Sequence, residues 1–244
     1  MKKIICLIAV ALAGAAPMSA AESLPQGFTE TTGKQILVET AGVGEELTPA
    51  VEEAGKKAVT LNDLAASEQE IAALMEQAKK LIADAGEPVV SVAADAEFAD
   101  FIEKHPREKV RRGAWALQKL YFLRAFLLAE KGEIQPALNA VDELLQLAPY
   151  SSDGYCERGY LLNMLRRPEE ALGSYAQALE LANNFANERH NTAAAWRGQG
   201  FSFTSLGKYE DAKNAYQQSL KYEPRNKIAA DALSSIAQLE KKNK

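Results

Sequence analysis

Hydrophobic and small residues recur along the middle of the chain with a period of 34 residues. The pattern occurs three times, over residues 118–151, 152–185 and 193–226. Large apolar residues occupy the fourth, eleventh and twenty-fourth positions of each copy: Tyr121, Leu128 and Val141; Tyr155, Leu162 and Tyr175; Trp196, Phe203 and Tyr216. Small residues occupy the eighth and twentieth positions: Ala125 and Ala137; Gly159 and Ala171; Gly200 and Ala212. Small side chains let two antiparallel helices approach closely, so each copy is predicted to fold as a helix-turn-helix pair.

The three copies resemble the tetratricopeptide repeat family, whose period is also 34 residues. The third copy is the most similar to the family, through Trp196, Gly200, Gly207, Tyr209, Ala212, Tyr216 and Pro224. The resemblance covers somewhat under half of the chain. It implies an all-α fold, a solenoid of three helix-turn-helix repeats with N-terminal capping helices and a C-terminal capping helix.

The copies depart from the family pattern at two places. The seventh position, which is usually Leu in the family, is occupied by Arg124, Arg158 and Gln199. The second copy has Asn183 where the other copies have the helix-terminating prolines Pro149 and Pro224. We therefore expect the second helix of that copy to continue into residues 186–192, which would lengthen this outer helix and displace the third repeat.

The first 21 residues have the composition of a secretory signal peptide. Two lysines precede an apolar run at residues 4–16, and small residues follow around Ala20. The run is shorter than the roughly 20 residues that a membrane span needs. Cys6 stands at the front of the run, where a lipid-attached cysteine would not be placed. We expect the mature chain to be periplasmic and to have no integral membrane segment.

The residues between the signal peptide and the repeats fall into two regions. Residues 22–46 contain four glycines and one proline, and we expect them to form an irregular arm. Residues 47–117 form an N-terminal helical region, with one short helix opening at Thr48. A second helix is predicted from the capping box of Ser67 and Glu70, followed by one apolar face: Ile71, Leu74, Met75, Ala78, Leu81 and Ile82.

Two further helices complete the predicted fold. Residues 94–104 are amphipathic, and residues 107–117 are expected to form a helix that is continuous with the first repeat. The N-terminal helices are expected to dock on this repeat and cap one end of the array. Residues 227–244 carry a single apolar stripe and a lysine-rich tail, as a capping helix at the other end requires.

Charge and reactive residues exclude several classes of function. Without the two signal-peptide lysines, 26 basic residues stand against 33 acidic ones, a formal net charge of −7, which argues against nucleic acid as a partner. His105 and His190 each lack a second ligand at metal spacing and are expected to be solvated loop residues. The sequence has no phosphate-binding loop and no nucleophile motif. We predict that the protein is not an enzyme and needs no cofactor or metal.

Two other features have both a functional and a structural interpretation. The basic residues Arg107, Lys109, Arg111 and Arg112 could bind an acidic partner, but such a run is more often a solvated helix face. Cys156 is the only cysteine outside the signal peptide. It could pair with a thiol of a partner, but a small apolar residue lining a groove is the favoured interpretation.

The resemblance also implies a binding groove. In the family, the first helix of each repeat lines a concave surface, and positions two, five, nine, twelve and thirteen contact the ligand. Carried over to this chain, the groove residues are Phe122, Phe126, Cys156, Tyr160, Asn163, Arg197, Phe201 and Thr204. The ninth position is aromatic in all three copies, and such an apolar ladder with polar rungs suits an extended segment or an amphipathic helix. Only Arg197 among these residues is cationic, so a free C-terminal carboxylate is not the expected ligand.

Two structural interpretations and two functions remain open from the sequence. The groove is either open, or covered by the chain's own residues 22–46 or by the C-terminal helix, because exposed aromatic patches are uncommon. The favoured function is a non-enzymatic adaptor or scaffold that binds another protein or peptide during envelope assembly or secretion. The alternative is a dedicated inhibitor or immunity-type partner of one periplasmic toxin or enzyme. The sequence leaves the oligomeric state open.

Overall fold

The computed structural model describes residues 42–60 and 64–242, so the predicted signal peptide and most of the expected arm lie outside it. The α-helices of the described part are α1 (Thr48–Thr60), α2 (Leu64–Asp84), α3 (Asp95–Lys104), α4 (Trp115–Glu130), α5 (Ile134–Leu147), α6 (Ser152–Met164), α7 (Pro168–Asn184), α8 (Thr192–Ser205), α9 (Tyr209–Tyr222) and α10 (Lys227–Lys242). Two short strands, β1 (Val89–Ser91) and β2 (Arg111–Gly113), and the 3₁₀ helices Glu45–Leu47 and Ala186–Asn191 accompany them. The predicted all-α class is confirmed.

Helices α4 to α9 form three pairs, α4/α5, α6/α7 and α8/α9, which stack into a helical-repeat array. In the second pair, a β-carbon at Gly159 would lie 2.7 Å from the ring of Tyr175. In the third pair, a β-carbon at Gly200 would lie 2.8 Å from the ring of Tyr216. Both distances are shorter than a carbon–carbon contact, so a larger residue would push the helices apart. The small eighth position thus leaves room for the aromatic ring at the twenty-fourth.

Helices α1 and α2 stack on α4 in the way that α6 and α7 both pack on α8. The buried apolar residues at this junction are Val51, Ala54 and Ala58 of α1; Ile71, Leu74 and Met75 of α2; and Leu117, Leu120 and Leu123 of α4. On α1 and α2 these residues have the three- and four-residue spacing of one helical face. The N-terminal pair therefore extends the stack at its first end.

Residues 107–117 do not form the predicted helix that is continuous with the first repeat. Residues 111–113 are strand β2, which pairs in parallel with β1 and places Arg112 opposite Val90, and α4 begins only at Trp115. A β-carbon at Gly113 would lie 2.8 Å from the Val89 side chain, so glycine permits this close pairing. The Ser91 hydroxyl also donates to the carbonyl of Ala114. These long-range contacts hold the backbone extended where local sequence favoured a helix.

The predicted continuation of the second repeat's outer helix into residues 186–192 is also wrong. Helix α7 has 17 residues, against 14 in α5 and α9, but it ends at Asn184. Phe185 leaves the helix with φ −124° and ψ 123°, and its ring packs edge-on against Tyr150 at 5.3 Å between centroids. The segment Ala186–Asn191, called the insert below, is a separate 3₁₀ helix. Tertiary packing of one aromatic ring therefore ends the helix that lacks a proline.

Helix α10 covers the last pair. Its buried residues Ala229 and Ile236 lie in one apolar cluster with Ala212 and Tyr216 of α9, and Phe203 of α8 packs against the same cluster. Helix α10 thus buries its apolar face against the last pair and leaves its other face exposed to solvent, as terminal elements of repeat proteins need. Within the described ranges, no helix combines the length and the apolar character that crossing a membrane requires.

Candidate protein-binding groove

The residues predicted to line the groove lie on α4, α6 and α8, but their exposure rises steeply along the array. The three aromatic residues of the ninth position show this gradient. Phe126 on α4 is 3% exposed, Tyr160 on α6 is half-buried, and Phe201 on α8 is 54% exposed. Equivalent positions of the three pairs therefore have different surroundings, and the last one is the most exposed to solvent.

The cover at the first pair comes from helices of the N-terminal region. Phe122 and Phe126 belong to the apolar cluster that also contains Val51 of α1 and Met75 of α2, and Tyr160 packs against that cluster. The two covers expected from the sequence were residues 22–46 and the C-terminal helix. Residues 22–41 lie outside the described part, and α10 packs at the opposite end of the array. The groove residues predicted on the first repeat, Phe122 and Phe126, are thus part of the hydrophobic core.

The middle of the predicted groove is largely occupied by internal contacts. Cys156 is buried, and desolvation raises the pKa of its thiol well above the ordinary value. The Asn163 side chain accepts a hydrogen bond from the Ser202 hydroxyl at 3.0 Å and donates to the Tyr175 hydroxyl at 3.5 Å. Asn163 therefore joins α6 to α7 and α8, and Cys156 acts as the small apolar residue that the sequence favoured.

The polar residues of the third pair are also bonded within the protein. Arg197 donates to the Glu223 carboxylate at 2.8 Å, and 15% of its side chain is exposed. The Thr204 hydroxyl donates to the carbonyl of Gly200, one turn earlier on the same helix. With these groups engaged, the Phe201 ring is the most accessible of the eight predicted groove side chains.

The histidines differ in part from the expectation of solvated loop residues. The ring of His105 stacks on Phe101 with 4.3 Å between centroids. His190 lies 3.1 Å from Asp153, and this hydrogen bond is the main cause that raises the pKa of His190 to about 9. Within the described ranges, no group of three or more His, Cys, Asp or Glu side chains could hold a metal ion.

The basic residues of the segment before α4 show no single shared face. Arg107 and Lys109 are exposed, whereas Arg112 forms an ion pair with Asp95 at the start of α3. Since they lie around strand β2 and not on a helix, neither a solvated helix face nor one clustered cationic site describes them.

Sequence reasoning missed three buried carboxylates, Glu97 on α3, Glu157 on α6 and Glu188 in the insert, which are 1%, 2% and 4% exposed. Glu97 carries a local signal, because it stands at the third position of α3 and accepts hydrogen bonds from the backbone at the helix start. Glu188 has no comparable signal, since its partners come from Ser152 and Asn187 in a fold that only tertiary packing creates.

Comparison with known proteins found similarity to repeat proteins. Three examples illustrate the solved structures that are similar to this chain. The first tetratricopeptide repeat domain of Spaghetti (RPAP3) bound to the HSP90 peptide SRMEEVD has 20% identity, covers 50% of this chain and 91% of that chain, and has a TM-score of 0.45. The second such domain of human RPAP3 in complex with the HSP70 peptide SGPTIEEVD has 24% identity, covers 47% and 89%, and has a TM-score of 0.42. A tetratricopeptide repeat protein from Parabacteroides merdae has 18% identity, covers 80% and 75%, and has a TM-score of 0.44.

A protein-family model matches part of the repeat region. None of the curated proteins matches the chain. Residues 150–222, which contain helices α6 to α9, match the family model described as tetratricopeptide repeat. These residues are thus similar to the tetratricopeptide repeat family, as the small and aromatic positions of the sequence indicated.

Proposed function

We propose that this is a non-enzymatic tetratricopeptide repeat protein that binds a protein or peptide segment against the exposed ring of Phe201. The observation that carries the proposal is the contrast between equivalent positions. Phe126 is 3% exposed because α1 and α2 cover its pair, whereas Phe201 is 54% exposed on a helix that α10 leaves open. An apolar segment of a partner would bury the ring at α8 as α1 and α2 bury it at α4.

Burial of the Phe201 ring is expected to contribute a modest binding free energy. Full burial of a phenylalanine side chain contributes about 1.5–3 kcal/mol, so burial of the exposed half contributes about 1 kcal/mol. Aromatic residues in a well-packed interface often contribute more, and truncation of such a residue commonly weakens binding tenfold or more. Phe201 therefore acts as an anchor residue within a larger interface.

The proposed location is the periplasm, and the proposed role is that of an adaptor or scaffold in envelope assembly or secretion. The support for this location is the lysine, apolar and small-residue pattern of residues 1–21. Fractionation of cells that express the full chain with a C-terminal tag tests it. Recovery of a shortened chain in the periplasmic fraction is expected, and a full-length chain in the cytoplasm would contradict the location.

The binding surface is tested by affinity capture from periplasmic extract with the mature protein, followed by mass spectrometry. Wild type is compared with Phe201→Ser and with a matched control, Ile228→Ser, which changes another exposed apolar residue on α10. Circular dichroism first establishes that both variants are folded. A partner retained by wild type and by the Ile228 variant, but reduced at least tenfold with Phe201→Ser, is the expected result.

Equal capture by all three proteins would overturn the assignment of the site to Phe201. The number of captured proteins also bears on the kind of function. An adaptor is expected to retain several partners with moderate affinity, whereas a dedicated inhibitor retains one partner that resists extended washing.

A further inference from the structure

Two almost fully buried glutamates meet where α3, α6 and the insert come together. Glu97 of α3 is 1% exposed and Glu188 of the insert is 4% exposed. The Asn187 side-chain amide donates to both carboxylates, to Glu97 Oε1 at 2.6 Å and to Glu188 Oε1 at 2.8 Å. Two acidic groups are thus held around one nitrogen atom. Among the described side chains that bond to these carboxylates, none is cationic.

The remaining carboxylate oxygens bond to the backbone of two different elements. Glu97 Oε2 accepts from the N–H groups of Ala93 at 2.9 Å and Ala94 at 3.2 Å, at the start of α3. Glu188 Oε2 accepts from the N–H of Ser152 at 2.7 Å, at the start of α6. The Ser152 hydroxyl donates in return to the carbonyl of Glu188 at 3.2 Å. Glu188 therefore fastens the insert to α6, and Asn187 of the insert fastens it to α3.

A second charged contact fastens the insert to the same helix. His190 Nε2 lies 3.1 Å from Asp153 Oδ2, and the Asn191 amide donates to Asp153 Oδ1 at 2.6 Å. The imidazole ring also bonds through Nδ1 to the carbonyl of Asn187 at 2.8 Å. A protonated His190 can donate from both ring nitrogens, so the cationic form satisfies both contacts at once.

We propose that the insert is a pH-sensitive latch, fastened to α3 and α6 while Glu188 is neutral and His190 is cationic, and released as both groups lose their protons. The titratable and charged groups around this junction are Glu97 from α3, Asp153, Cys156 and Glu157 from α6, His190 from the insert, and Arg197 from α8. Ionisation of Glu188 adds a negative charge next to Glu97 and Asp153. Deprotonation of His190 removes the positive charge that Asp153 faces.

Both groups have the same sign of pH dependence. Desolvation is the main cause that raises the pKa of Glu188 to about 7, from 4.5. A raised pKa in the fastened state stabilises that state below the released pKa, and the stabilisation is lost as the pH rises to 7. The pKa of His190, raised from 6.5 to about 9 chiefly by its hydrogen bond to Asp153, adds the same trend between those two values. Release is therefore favoured by rising pH from about 5 to about 9.

The latch is tested by hydrogen exchange of the mature protein between pH 5 and pH 8, with protection factors corrected for the intrinsic pH dependence of exchange. Because burial raises the pKa of Glu188 in the fastened state, release is easier at pH 8 than at pH 5. We expect the protection of amides 186–191 to fall at least tenfold over this range. Amides of α9, which lies away from the junction, serve as the internal control and should keep their protection.

Matched variants separate the latch from a general loss of stability. Glu188→Gln keeps an oxygen that accepts from the Ser152 N–H but cannot ionise, so the fall in protection between pH 5 and pH 7 should disappear. Glu180→Gln changes an exposed glutamate on α7 and should behave as wild type. His190→Gln should remove the part of the pH dependence above pH 7.

Three outcomes would overturn the proposal. The first is a wild-type insert whose protection does not change with pH. The second is an equal fall in α9, which would show global unfolding. The third is a pH dependence that persists unchanged in Glu188→Gln. None of these measurements requires a binding partner, so they test the latch independently of the proposed binding function.

Discussion

Gly198→Ala should destabilise the protein, although alanine is the better helix former. Gly198 lies in α8 beside the ring of Tyr175 from α7, and a β-carbon at Gly198 would lie 2.1 Å from Tyr175 Cζ. The ring has no room to move away. It is 2% exposed, and on its other side it already lies close to Gly159, where a β-carbon would be 2.7 Å from it. One ring is therefore held between two glycines of two different helices.

The magnitude follows from two opposing effects. Replacing a helical glycine by alanine stabilises a helix by about 1 kcal/mol when the new methyl group has space. Inserting a methyl group into a well-packed core costs about 1–3 kcal/mol, and a separation of 2.1 Å belongs at the upper end of that range. We expect a net loss of about 1–2 kcal/mol in the free energy of unfolding.

The matched control is Gly173→Ala on α7, where a β-carbon would have no neighbour within 4 Å. This change should raise stability by about 0.5–1 kcal/mol, since only the helix preference acts. Urea unfolding followed by circular dichroism measures both variants. The two midpoints should move in opposite directions from wild type. A Gly198→Ala variant as stable as Gly173→Ala would refute the argument that the Tyr175 ring is immobile.

Two further predictions concern single residues. Arg166 occupies the turn between α6 and α7 with φ 60°, where the turns of the neighbouring pairs have Gly132 and Gly207 at φ 81° and 72°. Arg166→Gly should therefore raise the free energy of unfolding in urea by about 0.5–1 kcal/mol. A loss of stability would show that the left-handed backbone carries no strain at this position. Cys156 is buried with a raised thiol pKa, so the native protein should react with a disulfide reagent at least tenfold more slowly than the urea-unfolded protein, whereas equal rates would show that the thiol is accessible.

Flanking helices cover both ends of the array, but they leave the aromatic residues of the ninth position exposed to different extents. At the first end, α1 and α2 cover the aromatic residues of α4, and Phe122 and Phe126 become part of a core. At the last end, α10 packs on α9 and on Phe203 but leaves Phe201 exposed. Since the three pairs have the same repeat pattern, the difference in exposure arises from the flanking helices. The flanking elements therefore decide which repeat presents its aromatic ring to solvent.

The sequence by itself determined the paired helices and their contacts within each pair. Gly159 with Tyr175, and Gly200 with Tyr216, are separated by a fixed 16 residues and meet inside one helix-turn-helix unit. Such contacts depend on helical periodicity and a short turn, which are local properties of the chain. For the same reason the amphipathic helices that contain Ile71 and Phe98 could be predicted from the spacing of their apolar residues.

Only the tertiary structure decided the features that depend on residues far apart in the chain. Strand β2 forms because β1 pairs with it across α3, and α7 ends because the Phe185 ring packs against Tyr150. The exposure of Phe201, the burial of Phe126 and the meeting of Glu97 with Glu188 arise in the same way. Sequence periodicity reports which face of a helix is apolar. It does not report which neighbour covers that face, because the neighbour is chosen by packing of the whole chain.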